Sequence, residues 1–169
     1  TKIESQSLML KKEKLNLNIL ISEVLKNYVN KQKNQQKVEI VYDFKHTADI
    51  NIEADRDRLS QVIHNLLDNA LKFTTQNNQT IFVIVDKKKE SEEEKKVVIV
   101  SVKDTGEGIP EKILPKLFSK FSVSNSTTGT GLGLYISKNI IEAHDGRIWA
   151  ENNSDENGAT FSFTLPIAD

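Results

Sequence analysis

The sequence predicts an α/β fold, a two-layer sandwich in which a mixed sheet carries helices on one face. Apolar residues recur at helical spacing in three stretches and at strand spacing in several others, in alternating order along the chain. The strand-like runs come mostly in neighbouring pairs with short links, which argues against an all-parallel sheet. A long stretch rich in Gly, Ser and Thr, residues 104–130, breaks the pattern once, and such connections tend to be functional.

The elements follow in order. Residues 1–16 are polar and mixed, expected as the frayed end of a helix and a short extended piece. From Leu17 one face collects Leu17, Leu20, Ile21, Val24, Leu25, Tyr28 and Val29, the pattern of a helix. Val38–Phe44 alternates and is β-branched, so a strand is expected there, with a second around Ile50–Glu53 as its partner. Asp55 suits a helix N-cap before the stripe Leu59, Val62, Ile63, Leu66, Leu67, Ala70 and Leu71, so a helix is expected over 56–73. Ile81–Val85 and Val97–Val102 read as strands joined by the charged run Lys87–Lys96, expected as a solvated turn. Gly131–Ala143 reads as a helix entered through glycines. Arg147–Glu151 and Ala159–Leu165 read as a closing pair of strands around the turn-rich Asn152–Gly158.

Composition narrows the class. With 169 residues the chain makes one sizeable domain, and 37% hydrophobic against 28% charged residues describes a soluble globular one. The formal net charge of -1 gives no global attraction to nucleic acid or membrane. The absence of cysteine excludes disulfides and cysteine metal sites. No apolar run spans a bilayer, and the opening Thr1-Lys2-Ile3-Glu4 lacks an initiator methionine, which reads as a fragment.

Four segments carry chemistry. Asn65 and Asn69 lie four apart, roughly 6 Å along one helix face, with Lys72 beside Asn69. Amide oxygen suits a hard cation and lysine suits phosphate. Taken alone, the trio reads as an ordinary hydrated helix face. Asp104-Thr105-Gly106-Glu107-Gly108-Ile109-Pro110 follows an apolar strand. Its carboxylate can accept from an exocyclic amine while glycines let a flat ring approach, and it serves equally as a strand-closing turn. Thr127-Thr128-Gly129-Thr130-Gly131-Leu132-Gly133-Leu134 leads into a helix, where backbone N–H groups and the helix dipole suit an anion. It matches neither a Walker A loop nor a dinucleotide fingerprint. Finally, Leu117-Phe118-Ser119-Lys120-Phe121 sets two phenylalanines in a polar loop, either as a satellite cluster or as groups that dock differently when nucleotide is bound.

In this order and spacing the segments resemble the N, G1, F and G2 boxes of the histidine-kinase catalytic domain, in a superfamily that includes DNA gyrase and MutL. The likeness runs from about Leu17 to Pro166 and includes Asn65-Leu66-Leu67-Asp68-Asn69-Ala70-Leu71-Lys72-Phe73 and Gly158-Ala159-Thr160-Phe161-Ser162-Phe163-Thr164-Leu165-Pro166. The resemblance implies ATP and Mg2+ as cofactors. Asn69 would ligate the metal with Asn65 nearby, Lys72 would contact phosphate and Phe73 would border the base. Asp104 would accept the adenine amine, supported by Gly106, Gly108 and Thr160. Gly129, Gly131 and Gly133 would offer backbone to the phosphates, and Pro110–Thr130 would form an ATP lid. The implied nucleotide-binding set also takes in Ile109, Phe118, Phe121, Thr130, Leu132 and Leu134. Many members carry arginine two residues after the second lid phenylalanine. Here that position is Val123, and Lys120 is the substitute, joining Asn65 and Lys72 in the implied catalytic set.

Related ATPases place glutamate where this chain has Asn65. An amide cannot serve as a general base, so Asn65 favours transfer to an incoming nucleophile over hydrolysis. The resemblance implies that the nucleophile is a histidine on a separate dimerisation hairpin and that the onward partner is a response-regulator receiver domain. A related serine kinase or ATPase, and a non-catalytic nucleotide-binding module suggested by Val123, are the alternatives. Of His46, His64 and His144, none is followed by the acidic residue and nearby proline of the family's phosphoacceptor; they are expected at structural or surface positions, with His64 as a candidate for the edge of the ATP site. Residues 1–16 resemble the end of the histidine-bearing hairpin and its linker, and 17–169 the catalytic domain. The expectation is therefore a monomeric, cytoplasmic fragment of a parent that a membrane could anchor.

Overall fold

Leucine, isoleucine and valine at helical spacing wind into the first helix, α1 (Leu17–Gln32), whose residues Leu17, Leu20, Ile21, Val24, Leu25 and Tyr28 are all buried. The computed structural model describes residues 8–32, 38–44, 49–73, 79–90, 95–120, 132–154 and 156–168. Before α1 comes a short strand, β1 (Glu13–Asn16), and after it β2 (Glu39–Asp43), β3 (Asn51–Ala54) and α2 (Arg56–Phe73). The chain continues through β4 (Thr80–Glu90), β5 (Lys95–Asp104), a 3-10 turn (Leu114–Lys116), α3 (Gly133–Ala143), β6 (Arg147–Asn152) and β7 (Ala159–Pro166).

Five strands make one sheet in the order β2-β4-β5-β7-β6. β2 runs parallel to β4 with Glu39 opposite Thr80, and the remaining pairs are antiparallel. The mixed sheet and its helical layer are the expected sandwich. Period-2 alternation points Val98, Val100 and Val102 of β5 and Phe161, Phe163 and Leu165 of β7 into the core, all at most 2% exposed. Against them lie the α2 residues Leu59, Val62, Ile63, Leu66, Leu67 and Ala70. α2 also packs between α1 and α3.

The structure differs from expectation in two places. β3 does not pair with β2. It pairs antiparallel with β1, with Leu15 opposite Ile52, in a separate two-stranded sheet. Leu15 and Ile52 are both buried, so the polar opening of the chain hides one core residue that local pattern does not reveal. The charged run is not a turn over 87–96 either. The strands continue to Glu90 and from Lys95, with Lys87–Glu90 paired only to Lys95–Val98. Beyond the point where β2 ends its pairing, Lys87–Lys89, Lys95 and Lys96 are exposed, while Val97 and Val98 opposite Lys88 and Lys87 remain buried.

α2 begins as expected. Asp55 Oδ1 accepts the N–H of Arg58 at 3.1 Å, an N-cap bond, and Asp55 Oδ2 accepts the N–H of Lys11 at 2.9 Å. α3 ends in a Schellman turn: Gly146 N–H reaches Ile141 O at 2.9 Å and Asp145 N–H reaches Glu142 O at 3.0 Å, with Asp145 at φ 61°. Among the described residues no helix is long and apolar enough to cross a membrane.

Candidate functional site

β5 ends on Asp104, and its carboxylate is 1% exposed. A buried charge needs donors, and two backbone groups supply them: Gly106 N–H at 3.0 Å and Ala159 N–H at 3.3 Å, both to Oδ1. Burial pushes the carboxyl above its ordinary range, while these two donors pull it back. The next turn is pressed against the end of α2. A Cβ on Gly106 would lie 2.4 Å from Phe73 O, so only glycine lets the loop seat there. The loop after Asp104 thus meets Phe73 at the C-terminal end of the helix that carries Asn65, Asn69 and Lys72.

On α2, Asn65 faces α3, and Asn69 shares its helix face by the four-residue spacing. Asn65 Nδ2 donates to Gly133 O at 3.2 Å and to Ser137 Oγ at 3.0 Å, fixing α2 to the first turn of α3. Asn69 Nδ2 is buried and has no hydrogen-bond partner among the described residues. An unpaired buried amide nitrogen is unusual among the described residues. Lys72 is half-buried, with Nζ 5.8 Å from the Phe73 ring centre. α3 has no side-chain N-cap, so its first-turn N–H groups keep their donor capacity.

The expected residues divide as follows. Asp104, Gly106, Phe73, Lys72, Asn69, Asn65 and Gly133 form one connected wall. Ile109 is 8% exposed and closes the Asp104 loop, and Gly108 within it has φ +85°. Phe118 stacks edge-on against Phe161 at 6.4 Å, packing the start of the expected lid on the sheet. Lys120 stands with Nζ 6.0 Å from the Tyr135 ring, in the first turn of α3. Leu132 is half-buried ahead of α3, while Leu134 points into the core at 8% exposure, leaving only its backbone for a ligand. Phe121, Val123, Gly129, Thr130, Gly131 and His46 lie outside the described residues.

Thr160 does not touch the Asp104 carboxylate directly. Its hydroxyl donates to Asn153 Oδ1 at 2.7 Å, on the sheet face opposite Asp104. Neighbouring strand residues point to opposite faces, so the residue that meets Asp104 is Ala159, through its N–H. The sequence reading also missed Asn152 and Asn153, whose amides grip the Asp104–Ile109 loop; in a turn-rich stretch they look like ordinary turn formers. His64 lies on the α1 side of α2, where Tyr28 Oη sits 3.0 Å from its Nδ1 and donates to Asp68 Oδ1 at 2.6 Å. It faces away from α3 and so does not edge the Asn65–Asn69 wall.

Comparison with known proteins adds the wider context. Residues 54–169 match the model of the histidine kinase-, DNA gyrase B- and HSP90-like ATPase family. Sensor protein FixL of Bradyrhizobium diazoefficiens is 40% identical over 135 residues, covering 80% of this chain and 25% of that protein. Sensor protein kinase WalK of Staphylococcus saprophyticus is 34% identical over 171 residues, covering 98% and 26%. The chain therefore spans about a quarter of the length of these relatives. Among solved structures, the nucleotide-free catalytic domain of histidine kinase ThkA matches with TM-score 0.79 and 36% identity over 93% of this chain and 96% of that one. Full-length ShkA in complex with AMPPNP matches with TM-score 0.77 and 25% identity, over 95% of this chain and 32% of that one.

Proposed function

Because the chain belongs to the histidine kinase-, DNA gyrase B- and HSP90-like ATPase family and is the ATP-binding catalytic domain of a sensor histidine kinase, we propose that it binds Mg-ATP in the wall running from Asp104 to Gly133 and delivers the γ-phosphate to a histidine on a separate dimerisation hairpin. The observation that carries this reading is the buried Asp104 carboxylate, anchored through Oδ1 by Gly106 and Ala159. Its second oxygen is the acceptor for the adenine amine.

The chain's own residues bind and orient. Gly106 lets the ring approach, and Phe73 borders it. Lys72 balances phosphate charge, and the uncapped start of α3 offers N–H groups to the same phosphates. The residues present fit a magnesium ion: the unpartnered Asn69 amide presents Oδ1 to a hard cation after a half-turn of its plane. Among the described residues no cluster of three or more His, Cys, Asp or Glu gathers. Held by Asn69, the ion would supply charge neutralisation for the transferring phosphate. Asn65, engaged with Gly133 and Ser137, has no basic atom with which to activate water, which favours transfer over hydrolysis.

Catalysis here is positioning and charge neutralisation, with the acceptor imidazole and the receiver domain supplied by other parts of the parent protein or by its partner. The test is calorimetric titration with a non-hydrolysable ATP analogue, with and without magnesium, followed by phosphate transfer to a separately supplied acceptor hairpin. Micromolar to millimolar binding strengthened by magnesium, and a labelled hairpin, are the expected results. Steady ATP hydrolysis by the chain alone would favour an ATPase, and binding without transfer a nucleotide-sensing module.

A further inference from the structure

The loop from Asp104 to Ile109 is gripped at both ends by the β6–β7 turn. At the Ile109 end, the side chain of Asn152 acts as a surrogate peptide group: its Oδ1 accepts Ile109 N–H at 2.7 Å and its Nδ2 donates to Ile109 O at 2.9 Å. Gly108, just before, packs so close that an added Cβ would sit 2.9 Å from Asn152 Oδ1. At the Asp104 end, Asn153 Nδ2 donates to Asp104 O at 3.0 Å. Asn153 is itself held by the Thr160 hydroxyl at 2.7 Å and by its own N–H to Gly158 O at 2.9 Å. Asn152 pairs with Ala159 across the ladder, and it is Ala159 whose N–H reaches Asp104 Oδ1. The turn thus touches the loop through two side chains and one backbone group.

We infer that Asn152, backed by Asn153 and Thr160, is a positioning residue for adenine recognition: it fixes the Asp104–Ile109 loop so that the Asp104 carboxylate is aimed before nucleotide arrives. This rests on the nucleotide-binding reading above. Asn152 touches no reacting atom. Its side chain is exposed, so its two bonds add little to global stability, yet they set where Gly108 and Ile109 run. A fixed carboxylate favours an exocyclic amine and repels the carbonyl oxygen that guanine presents at the same edge, so a loosened loop loses discrimination as well as affinity.

The experiment titrates ADP and GDP into wild-type chain, Asn152→Ala and Asn152→Asp, with thermal melts of each. Asn152→Asp keeps the acceptor and loses the donor at nearly the same shape, so it stays informative if the alanine variant folds poorly. Expected is a loss of ADP affinity of about tenfold in Asn152→Ala, the order that two neutral hydrogen bonds carry. A smaller loss is expected in Asn152→Asp, with a reduced preference for ADP over GDP in both and melting curves close to wild type. Wild-type binding with unchanged variant affinity and selectivity would overturn the positioning role and leave the nucleotide site standing. Equal weakening of both nucleotides together with a lowered melting temperature would overturn it as well, marking Asn152 as a purely structural residue. Absence of adenine nucleotide binding by the wild type would overturn both readings.

Discussion

His144 Nε2 accepts the backbone N–H of Asp55 at 3.0 Å, joining the C-terminal end of α3 to the N-cap of α2. Because the Asp55 group is a donor, Nε2 must carry a lone pair. The neutral ring then holds its proton on Nδ1, which donates to Ile140 O at 2.8 Å. Both nitrogens are used, and the ring is 3% exposed. The joint also reaches the leading segment, since Asp55 Oδ2 holds Lys11 N–H.

This joint makes stability depend on pH. Burial lowers the His144 pKa, assisted by nearby Lys12 and opposed by Ile140 O, Asp55 and Asp145. With the folded value below the unfolded one, the unfolded chain binds more protons between them, so stability is complete above about pH 6.5 and falls as pH drops through that window. Thermal melts between roughly pH 5 and pH 8 should show this slope in the wild type and a shallower one in His144→Gln. Parallel curves would show that another group is responsible.

Asp104→Asn is expected to weaken adenine nucleotide binding about a hundredfold, at the upper range for hydrogen bonds to a charged group. Stability should barely change. Asparagine keeps Oδ1 for Gly106 and Ala159 and removes the burial penalty on the carboxylate. Calorimetry and a melt on the same sample read the two effects, and unchanged affinity would remove Asp104 from the base contact.

Asn69→Ala should abolish the gain in nucleotide affinity that magnesium provides, while binding without magnesium stays near wild type. The measurement is the ratio of dissociation constants with and without the ion. A ratio equal to wild type would assign the cation to other groups.

Gly158→Ala should destabilise the domain by about 2 kcal/mol or more. Gly158 has φ +105°, and a Cβ there would lie 2.0 Å from Asp104 O, so the turn and the loop cannot both keep their places. Denaturant melts check this. A loss below about 0.5 kcal/mol, the range of an ordinary surface change, would mean that the turn relaxes without disturbing Asp104.

Much of this was legible in the chain itself. Asp55 could be read as a cap because an N-cap is a local arrangement, and Asn65 and Asn69 could be read as one face because helix geometry is fixed by spacing alone. The partner of β3 could not be read, because Asn51–Ala54 carries no mark that distinguishes β1 from β2 across the chain. The indirect route of Thr160 to Asp104 was hidden for a related reason: a one-residue difference in strand parity decides which face a side chain takes, and parity is settled only by the register of β7 on β5. Asn152 and Asn153 stayed hidden because their bonds run to residues more than forty positions away. The lysine ribbon looked like a turn because composition reports solvation, and the exposed lysines at the end of a strand pair are solvated too.

The N–H that completes the cradle of Asp104 belongs to Ala159, on the last strand of the sandwich. This has a consequence for biosynthesis. A nascent chain emerging from the ribosome can already contain Asn65 to Phe73 and Asp104 to Pro110 and still lack the strand that aims the carboxylate and the ring, Phe161, on which Phe118 rests. On the nucleotide-binding reading, the earlier elements alone would present an incompletely aimed carboxylate. Nucleotide would then stabilise the domain only once β7 is in place, raising the folded-to-unfolded ratio by about the ratio of its concentration to its dissociation constant. On the nucleotide-binding reading, a chain cut before β7 would keep every recognisable motif up to α3 and still gain little stability from the ligand.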